Sequence, residues 1–381
     1  MPRNLVICCD GTNNKFDVAN TSVVRIVEVA VQDTTQLVYY DPGVGTLPEP
    51  GMWSRFGKKL SEIVDLAFAT DIDRRVAIAY EHLMDAWQPG DQVFIFGFSR
   101  GAFTARILGG MLHAVGLLPK GNGHLIPYAM RLYEGLTRRN AQKYWAVCDQ
   151  FRETFARPIV GADDRRFPIH FLGLWDTVSS VGRVWDPRIY AYTFKNPGVH
   201  TIRHAISLDE RRCFFRQNQV KPADGQDVIE RWFPGVHSDI GGGYPESGGG
   251  LWRVAFEWML AHATQAGLTV DPARLKFVRT RSPQAQYPAR EPQHESLTGI
   301  WWLAEFYPKL VYNSVTKRRR PRLGLGRHRF VADGSMLDRS VVDRLKNCDY
   351  RPANLSDAFI DWVKTQAEPA DAVAYRAVVQ G

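Results

Sequence analysis

The chain has 381 residues and is poor in cysteine, with no internal repeat and no low-complexity tract. Its five cysteines, two of them adjacent at Cys8 and Cys9 in an apolar run, give neither a disulfide framework nor a metal-ligand spacing. They read as buried or free thiols of a chain that folds in a reducing compartment. No apolar stretch approaches the roughly 18–20 residues that a membrane span requires. The opening "MPRNLVICCDGT" is apolar only briefly, because Asp10 and Gly11 end it before the length of a signal core. The expectation is a protein that is cytoplasmic as synthesised, with no signal peptide and no transmembrane segment. The formal charge is +8, yet lysines and arginines are spread along the chain apart from "KRRRPR" at 317–322. With no zinc-finger spacing and no RNA-binding signature, no nucleic acid is expected as a partner. The oligomeric state is not specified by the pattern.

Hydrophobic residues make up 45% of the chain and charged residues 23%, the balance of a soluble globule with a large core. The first third alternates apolar runs with helical patterns. "NLVICC" (4–9), "QLVYYDPGVG" (36–45) and "QVFIFGF" (92–98) read as strands; 22–31, 54–87 and 102–116 read as helices. Runs apolar on consecutive residues suit strands covered on both faces. The alternation predicts an α/β fold with a mostly parallel central sheet and helices on both faces. Further strands are expected at 168–178 and from 228, and an amphipathic helix over 251–267. With no clean linker, the reading is one domain over 1–381, with candidate lid insertions at 120–165 and 180–226 and a C-terminal extension over 268–381.

The stretch "FGFSRGAFTA" contains Gly97, Ser99 and Gly101 in the G-x-S-x-G spacing. A serine on a sharp strand-to-helix turn needs glycines two before and two after, because the neighbours crowd it. The helix behind aims its N-terminus at the same place. The spacing alone is common and fits a structural turn serine; the strong strand before it and the helix after favour a nucleophile. A serine hydroxyl needs a base, and the base needs an orienting acid. "HFLGLWDTV" places Asp176 at a strand end, though it would also serve as a helix N-cap. "RWFPGVHSDIGGGY" places His237 in a glycine-rich loop after another strand, where a plain turn histidine is the bland alternative. His170, His200, His204, His262, His294 and His328 fit less well by order or context. Asp239, two residues from His237, is the rival acid and receives a supporting role at most. The oxyanion hole is assigned to the amide of Arg100 and to Gly11 or Thr12 in the loop after the first strand. Asp10, Gly97 and Gly101 complete the supporting set.

Two other motifs fail. "ICCDGTNN" approaches the D-x-D-G-T of haloacid-dehalogenase-type phosphatases, but Cys8 stands where the nucleophilic aspartate belongs. "GGGY" has the wrong spacing for a dinucleotide or P-loop site.

Eight segments in order, "DGTNN", "YYDPGVGT", "FIFGFSRGAFTAR", "GLWDTVSSVG", "HAISLDERR", "RWFPGVHSDIGGGY", "WWLAEFYP" and "DRSVVDRL…YRPANL", resemble an α/β-hydrolase domain family of bacteria and fungi. That family includes the catalytic domain of one class of type VI secretion phospholipase effectors, and the likeness runs over about residues 3–356. The resemblance implies an α/β-hydrolase fold and a Ser99, Asp176, His237 triad. It implies phospholipase A-type activity on a phospholipid or other ester, and delivery by a specialised secretion system. No metal and no cofactor is called for. A short-chain ester or thioester hydrolase, or a binding module on a hydrolase scaffold, are the alternative functions. Peripheral membrane contact is one reading of "WWLAEFYPKLVYNSVTKRRRPR" (301–322); the stronger reading places Trp301, Trp302, Phe306 and Tyr307 in the core and the arginines on a solvated turn.

Overall fold

The structure is a computed structural model that describes residues 2–11, 19–43, 60–137, 141–159, 165–178, 182–183, 186–187, 189–281, 287–299, 301–306, 309–313 and 318–378. In chain order the strands are β1 (Asn4–Cys9), β2 (Gln36–Asp41), β3 (Gln92–Phe98), β4 (Ile169–Trp175), β5 (Gly182–Arg183), β6 (Asp186–Pro187), β7 (Val199–Ser207), β8 (Asp227–Phe233), β9 (Lys309–Asn313), β10 (Arg318–Arg322), β11 (Met336–Asp338) and β12 (Ala372–Ala374). The helices are α1 (Ser22–Val29), α2 (Leu60–Ala86), α3 (Arg100–Val115), α4 (Ile126–Gly135), α5 (Ala141–Phe155), α6 (His237–Gly241), α7 (Trp252–Gln265), α8 (Pro272–Thr280), α9 (Trp301–Glu305), α10 (Arg339–Asn347) and α11 (Asp357–Thr365).

Eight strands form the central sheet in the order β12-β11-β8-β7-β4-β3-β1-β2. Every pairing is parallel except that of the edge strand β12 with β11. This is the α/β arrangement with a mostly parallel sheet expected from the strand-helix alternation. The strands explain why their sequences read as unbroken apolar runs. Along β1, Leu5, Ile7 and Cys9 join the core under α2, α3, α4 and α5, while Val6 and Cys8 join the core under α1 and α7. Successive side chains point to opposite faces, and both faces are covered. A third core, built on Trp232, Leu337, Val341 and Phe359, fixes α10 and α11 against the sheet's far end. The segment 268–381 thus supplies two strands of the sheet as well as packing against it.

The expectation for 180–226 is corrected. Within that span Val199–Ser207 is a strand in the middle of the sheet, between β4 and β8. Its apolar pattern is broken by Arg203 and His204, both buried. Each pairs with an acid of the next strand: Arg203 with Asp227 at 2.6 Å and His204 with Glu230 at 2.7 Å. The remainder, 189–198 and 208–226, is tied to α3, where the buried Arg106 donates to the carbonyls of Thr193 (2.5 Å), Asn218 (2.5 Å) and Gln219 (3.1 Å). Over 120–165, α4 and α5 bury Tyr133 and Phe151 against the α3 side of the core.

The aromatic reading of 301–322 is corrected as well: Trp302 and Phe306 are 42% and 61% exposed, so neither is core, while Tyr307 lies outside the described residues. Cys8, Cys9, Cys148 and Cys213 are buried thiols and Cys348 is half-buried. Among the described residues no helix is long and apolar enough to cross a membrane.

Candidate active site

Strand β3 ends at Phe98 and helix α3 begins at Arg100, so Ser99 is the single residue of the turn. Its backbone has φ 59° and ψ −123°, a region that a non-glycine residue occupies only under strain. Neighbouring hydrogen bonds hold it there: Ser99 N–H donates to the Trp175 carbonyl at 3.0 Å, and Val178 N–H donates to the Ser99 carbonyl at 3.2 Å. The flanking glycines have measurable causes. A Cβ at Gly97 would lie 2.6 Å from the Cα of Ala102, and one at Gly101 would lie 2.2 Å from the carbonyl oxygen of Cys9. Any side chain at either position would push α3 away from β3 or β1.

His237 is the first residue of α6, not a loop residue. Its ring lies between Phe98, 4.6 Å away between centroids, and Phe215, 4.7 Å away. Gly241 makes room for this stack, since a Cβ there would fall 1.9 Å from the Phe98 ring. His237 Nε2 is 2.8 Å from Ser99 Oγ, and its Nδ1 is 2.5 Å from Asp176 Oδ2. An ionised carboxylate only accepts, so Nδ1 carries the proton and Nε2 is left to accept from the serine hydroxyl. The three side chains are separated by 61 and 138 residues in sequence and are all buried.

Asp176 follows directly on β4, at φ 39°. Its Oδ1 accepts from the Ser207 N–H at 3.0 Å, and Arg329 grips both oxygens, at 2.5 Å and 3.0 Å. Burial alone would raise the carboxyl's pKa; the Arg329 guanidinium and His237 more than reverse this and hold it well below the usual carboxylate range. For His237, burial lowers the pKa, and the hydrogen bond and charge of Asp176 only partly restore it. The imidazole is therefore a neutral acceptor at lower pH than an ordinary histidine.

Pattern reading missed several members of this site. Arg329 lies in a stretch with no signal, 153 residues from Asp176. Glu210, in "SLDERR", accepts from the His237 N–H at 3.2 Å and from the Arg212 side chain at 2.9 Å and 3.0 Å. Arg212 in turn stacks over Phe215 at 3.6 Å, so the acid fixes both the histidine's backbone and the ring beside it. The run of two acids followed by two arginines, Asp209 to Arg212, was the available sign.

The remaining expected residues divide. Arg100 is the first residue of α3, directly after Ser99. The Gly11 N–H donates to Asp10 Oδ1 at 2.7 Å. Asp10 is committed locally, its other oxygen accepting from Thr21 Oγ1 and Tyr40 Oη, each at 2.8 Å. Thr12 lies outside the described residues. Asp239 accepts from the Val236 N–H at 3.0 Å and pairs with His294 Nδ1 at 2.6 Å; no bond joins its side chain to the His237 ring among the described residues. Burial raises its pKa, which these hydrogen bonds only partly offset. His204, buried beside the site, accepts from Thr177 N–H at 3.2 Å and fixes the turn after Asp176. Among the described residues no three histidine, cysteine, aspartate or glutamate side chains gather as a metal site.

The family model for the catalytic domain of the Tle1-like type VI secretion phospholipase effectors matches residues 3–262. The chain belongs to that family. An uncharacterized protein of Saccharomyces cerevisiae is 34% identical over 226 residues, 56% of this chain but 32% of its own length. The chain thus spans about a third of the length of the curated relative it matches. Among solved structures, an uncharacterized protein from Pseudomonas aeruginosa is similar at 19% identity and a TM-score of 0.42, over 71% of this chain and 46% of that one. The Tle1 effector bound to the VgrG spike is similar at 19% identity and a TM-score of 0.36, over 66% of this chain and 52% of that one.

Proposed function

We propose that this chain is a serine carboxylester hydrolase of the phospholipase A type. The observation that carries the reading is the unbroken line from Ser99 Oγ through His237 to Asp176, at 2.8 Å and 2.5 Å, on a backbone strained at the serine. Membership of a phospholipase effector catalytic-domain family supports lipid as the substrate. In this reading Ser99 Oγ attacks the acyl carbon as its proton passes to His237 Nε2. The imidazolium is stabilised by Asp176 and returns the proton to the leaving alcohol. Water, activated by the same nitrogen, then cleaves the acyl-enzyme and regenerates Ser99.

The tetrahedral oxyanion is assigned to the N-terminus of α3, with the Arg100 amide as one donor. Thr12 is assigned as the second donor, the Gly11 amide being occupied by Asp10. A cover over Ser99 is assigned to 120–165 and to the parts of 180–226 outside β7, which Arg106 of α3 holds through the carbonyls of Thr193, Asn218 and Gln219. The exposed Trp302, Leu303 and Phe306 give peripheral membrane contact an apolar footing. Delivery by a secretion system follows from the family alone.

The test is fatty-acid release from vesicles of phosphatidylethanolamine and phosphatidylglycerol, with short nitrophenyl esters alongside, for the natural chain and Ser99→Ala. Release that vanishes in Ser99→Ala is the expected result. Turnover of short esters only would discard the lipid. Folded protein without Ser99-dependent turnover on either would remove the hydrolase reading.

A further inference from the structure

Beside the triad is a cavity of about 520 Å³ between Glu210–Gln217 and Arg322–Phe330. Its inner wall is shared with the site. Phe215 packs on the His237 ring, Arg329 holds Asp176, and Glu210 holds the His237 amide. Six arginines line it and one carboxylate, Glu210. Three of the six are committed. Arg329 pairs with Asp176, Arg212 with Glu210, and Arg211 donates to the Gly326 carbonyl at 3.0 Å and faces Glu295 at 3.6 Å. The other three, Arg216, Arg322 and Arg327, have no ion-pair partner among the described residues.

Their surroundings sharpen the imbalance. Glu305 is the nearby acid, but it is buried and its oxygens accept from the amides of Cys213 at 2.7 Å and Gly326 at 3.0 Å. Arg216 is half-buried; burial and Arg322 lower its pKa, which Cys213 and the charge of Glu305 only partly offset. A guanidinium relieves such stress by gaining an anion, because it does not give up its proton. The mouth also carries apolar surface, with Leu323 38% and Phe330 77% exposed. A solvated arginine face has no need of a concave wall. This one has the volume of an ordinary ligand pocket, of order 300–1,000 Å³.

We propose that Arg216, Arg322 and Arg327 form a binding subsite for a phosphate group, placed next to the triad so that a phosphate-bearing ester is held with its acyl carbon toward Ser99. The proposal rests on the hydrolase reading for the direction of the ester, and on the cavity alone for the phosphate. Guanidinium forks bind phosphate oxygens in pairs, and Leu323 and Phe330 meet the apolar part of an amphiphile.

The test separates the two. Calorimetry is carried out on Ser99→Ala protein, which turns nothing over, with three probes: dihexanoyl phosphatidylglycerol, uncharged dihexanoylglycerol and inorganic phosphate. Adding Arg216→Gln or Arg327→Gln is expected to weaken phosphatidylglycerol binding about 10- to 100-fold and to leave dihexanoylglycerol unchanged. Arg327 is exposed, so its variant remains informative if Arg216→Gln does not fold. Arg351→Gln, a remote arginine paired with Asp357 and Asp361, controls for net charge. Competition by inorganic phosphate would assign the site to the phosphate group itself; its failure to compete, with phosphatidylglycerol binding lost in the variants, would assign it to a lipid-borne phosphodiester. Equal binding by the variants, an equal loss in Arg351→Gln, or no phosphate-dependent binding at all would overturn the subsite. A chain without esterase activity would still give a readable result here, so failure of the hydrolase reading and failure of the subsite are distinct outcomes.

Discussion

Arg329 holds both carboxylate oxygens of Asp176, and the two residues are 153 positions apart. Both are buried, so the pair exists in a setting where an unpartnered charge is costly. Breaking such a pair from one side typically costs about 3–5 kcal/mol. Arg329→Met is expected to destabilise the fold by that order and to lower turnover about 10- to 100-fold by loosening Asp176. The sign with pH is fixed by the depressed pKa of Asp176. Its stabilisation is complete above the ordinary carboxylate range near pH 4 and is lost as pH falls through the lower folded value. Arg329→Met lacks that reserve, so its acid unfolding midpoint rises. An acid titration followed by circular dichroism checks this, and coincident midpoints would count against the pairing.

The pH profile of activity offers a second prediction. Burial between Phe98 and Phe215 lowers the pKa of His237; Asp176 and Glu210 pull it back up, and Arg212 pulls it down again. A base must be neutral to accept the serine proton, so the acid limb of kcat/KM is expected below the ordinary histidine value of about 6.5. Phe215→Ala admits water to one face of the ring and moves the limb upward. Profiles of the two proteins on one soluble ester decide it; identical limbs would show that burial is not the cause.

Much of this was legible in the sequence, for physical reasons. β3 declared itself because it is apolar on both faces, and Ser99 because a strained turn demands glycines at fixed offsets. Asp176 and His237, which the structure brings to Ser99, were legible as candidates because each follows a strand end. β7 was hidden because Arg203 and His204 find their acidic partners, Asp227 and Glu230, on the next strand, which a linear pattern does not reveal. Arg329 and Glu210 were hidden for the same reason: Asp176 and His237, the site residues they hold, are distant in the chain. The Gly11 amide looked available because an aspartate that folds back on its neighbour leaves no trace in spacing.

Glycine at position 101 is expected to be irreplaceable. A Cβ there would lie 2.2 Å from the Cys9 carbonyl oxygen and 2.4 Å from that of Asp10, both backbone atoms of the β1 end. No rotamer change relieves a backbone contact. Gly101→Ala is expected to cost roughly 3 kcal/mol or more, in the range of severe point mutations. Thermal unfolding against the natural chain measures it, and a Tm within about 1 °C would mean that α3 shifts freely.

Ser99 provides the converse case, in which loss of the side chain improves the fold. Its φ of 59° and ψ of −123° are costly for any residue with a Cβ, of order 1–3 kcal/mol, and mild for glycine. Glycine loses roughly 0.5–1 kcal/mol more backbone entropy on folding, which offsets part of that gain. Ser99→Gly and Ser99→Ala both remove the hydroxyl, but only Ser99→Gly releases the backbone. Ser99→Gly is therefore expected to unfold at a higher temperature than Ser99→Ala, by about 1–4 °C, while both lack turnover. Differential scanning calorimetry of the two variants makes the comparison. A Ser99→Gly protein less stable than Ser99→Ala would show that the turn stores no strain.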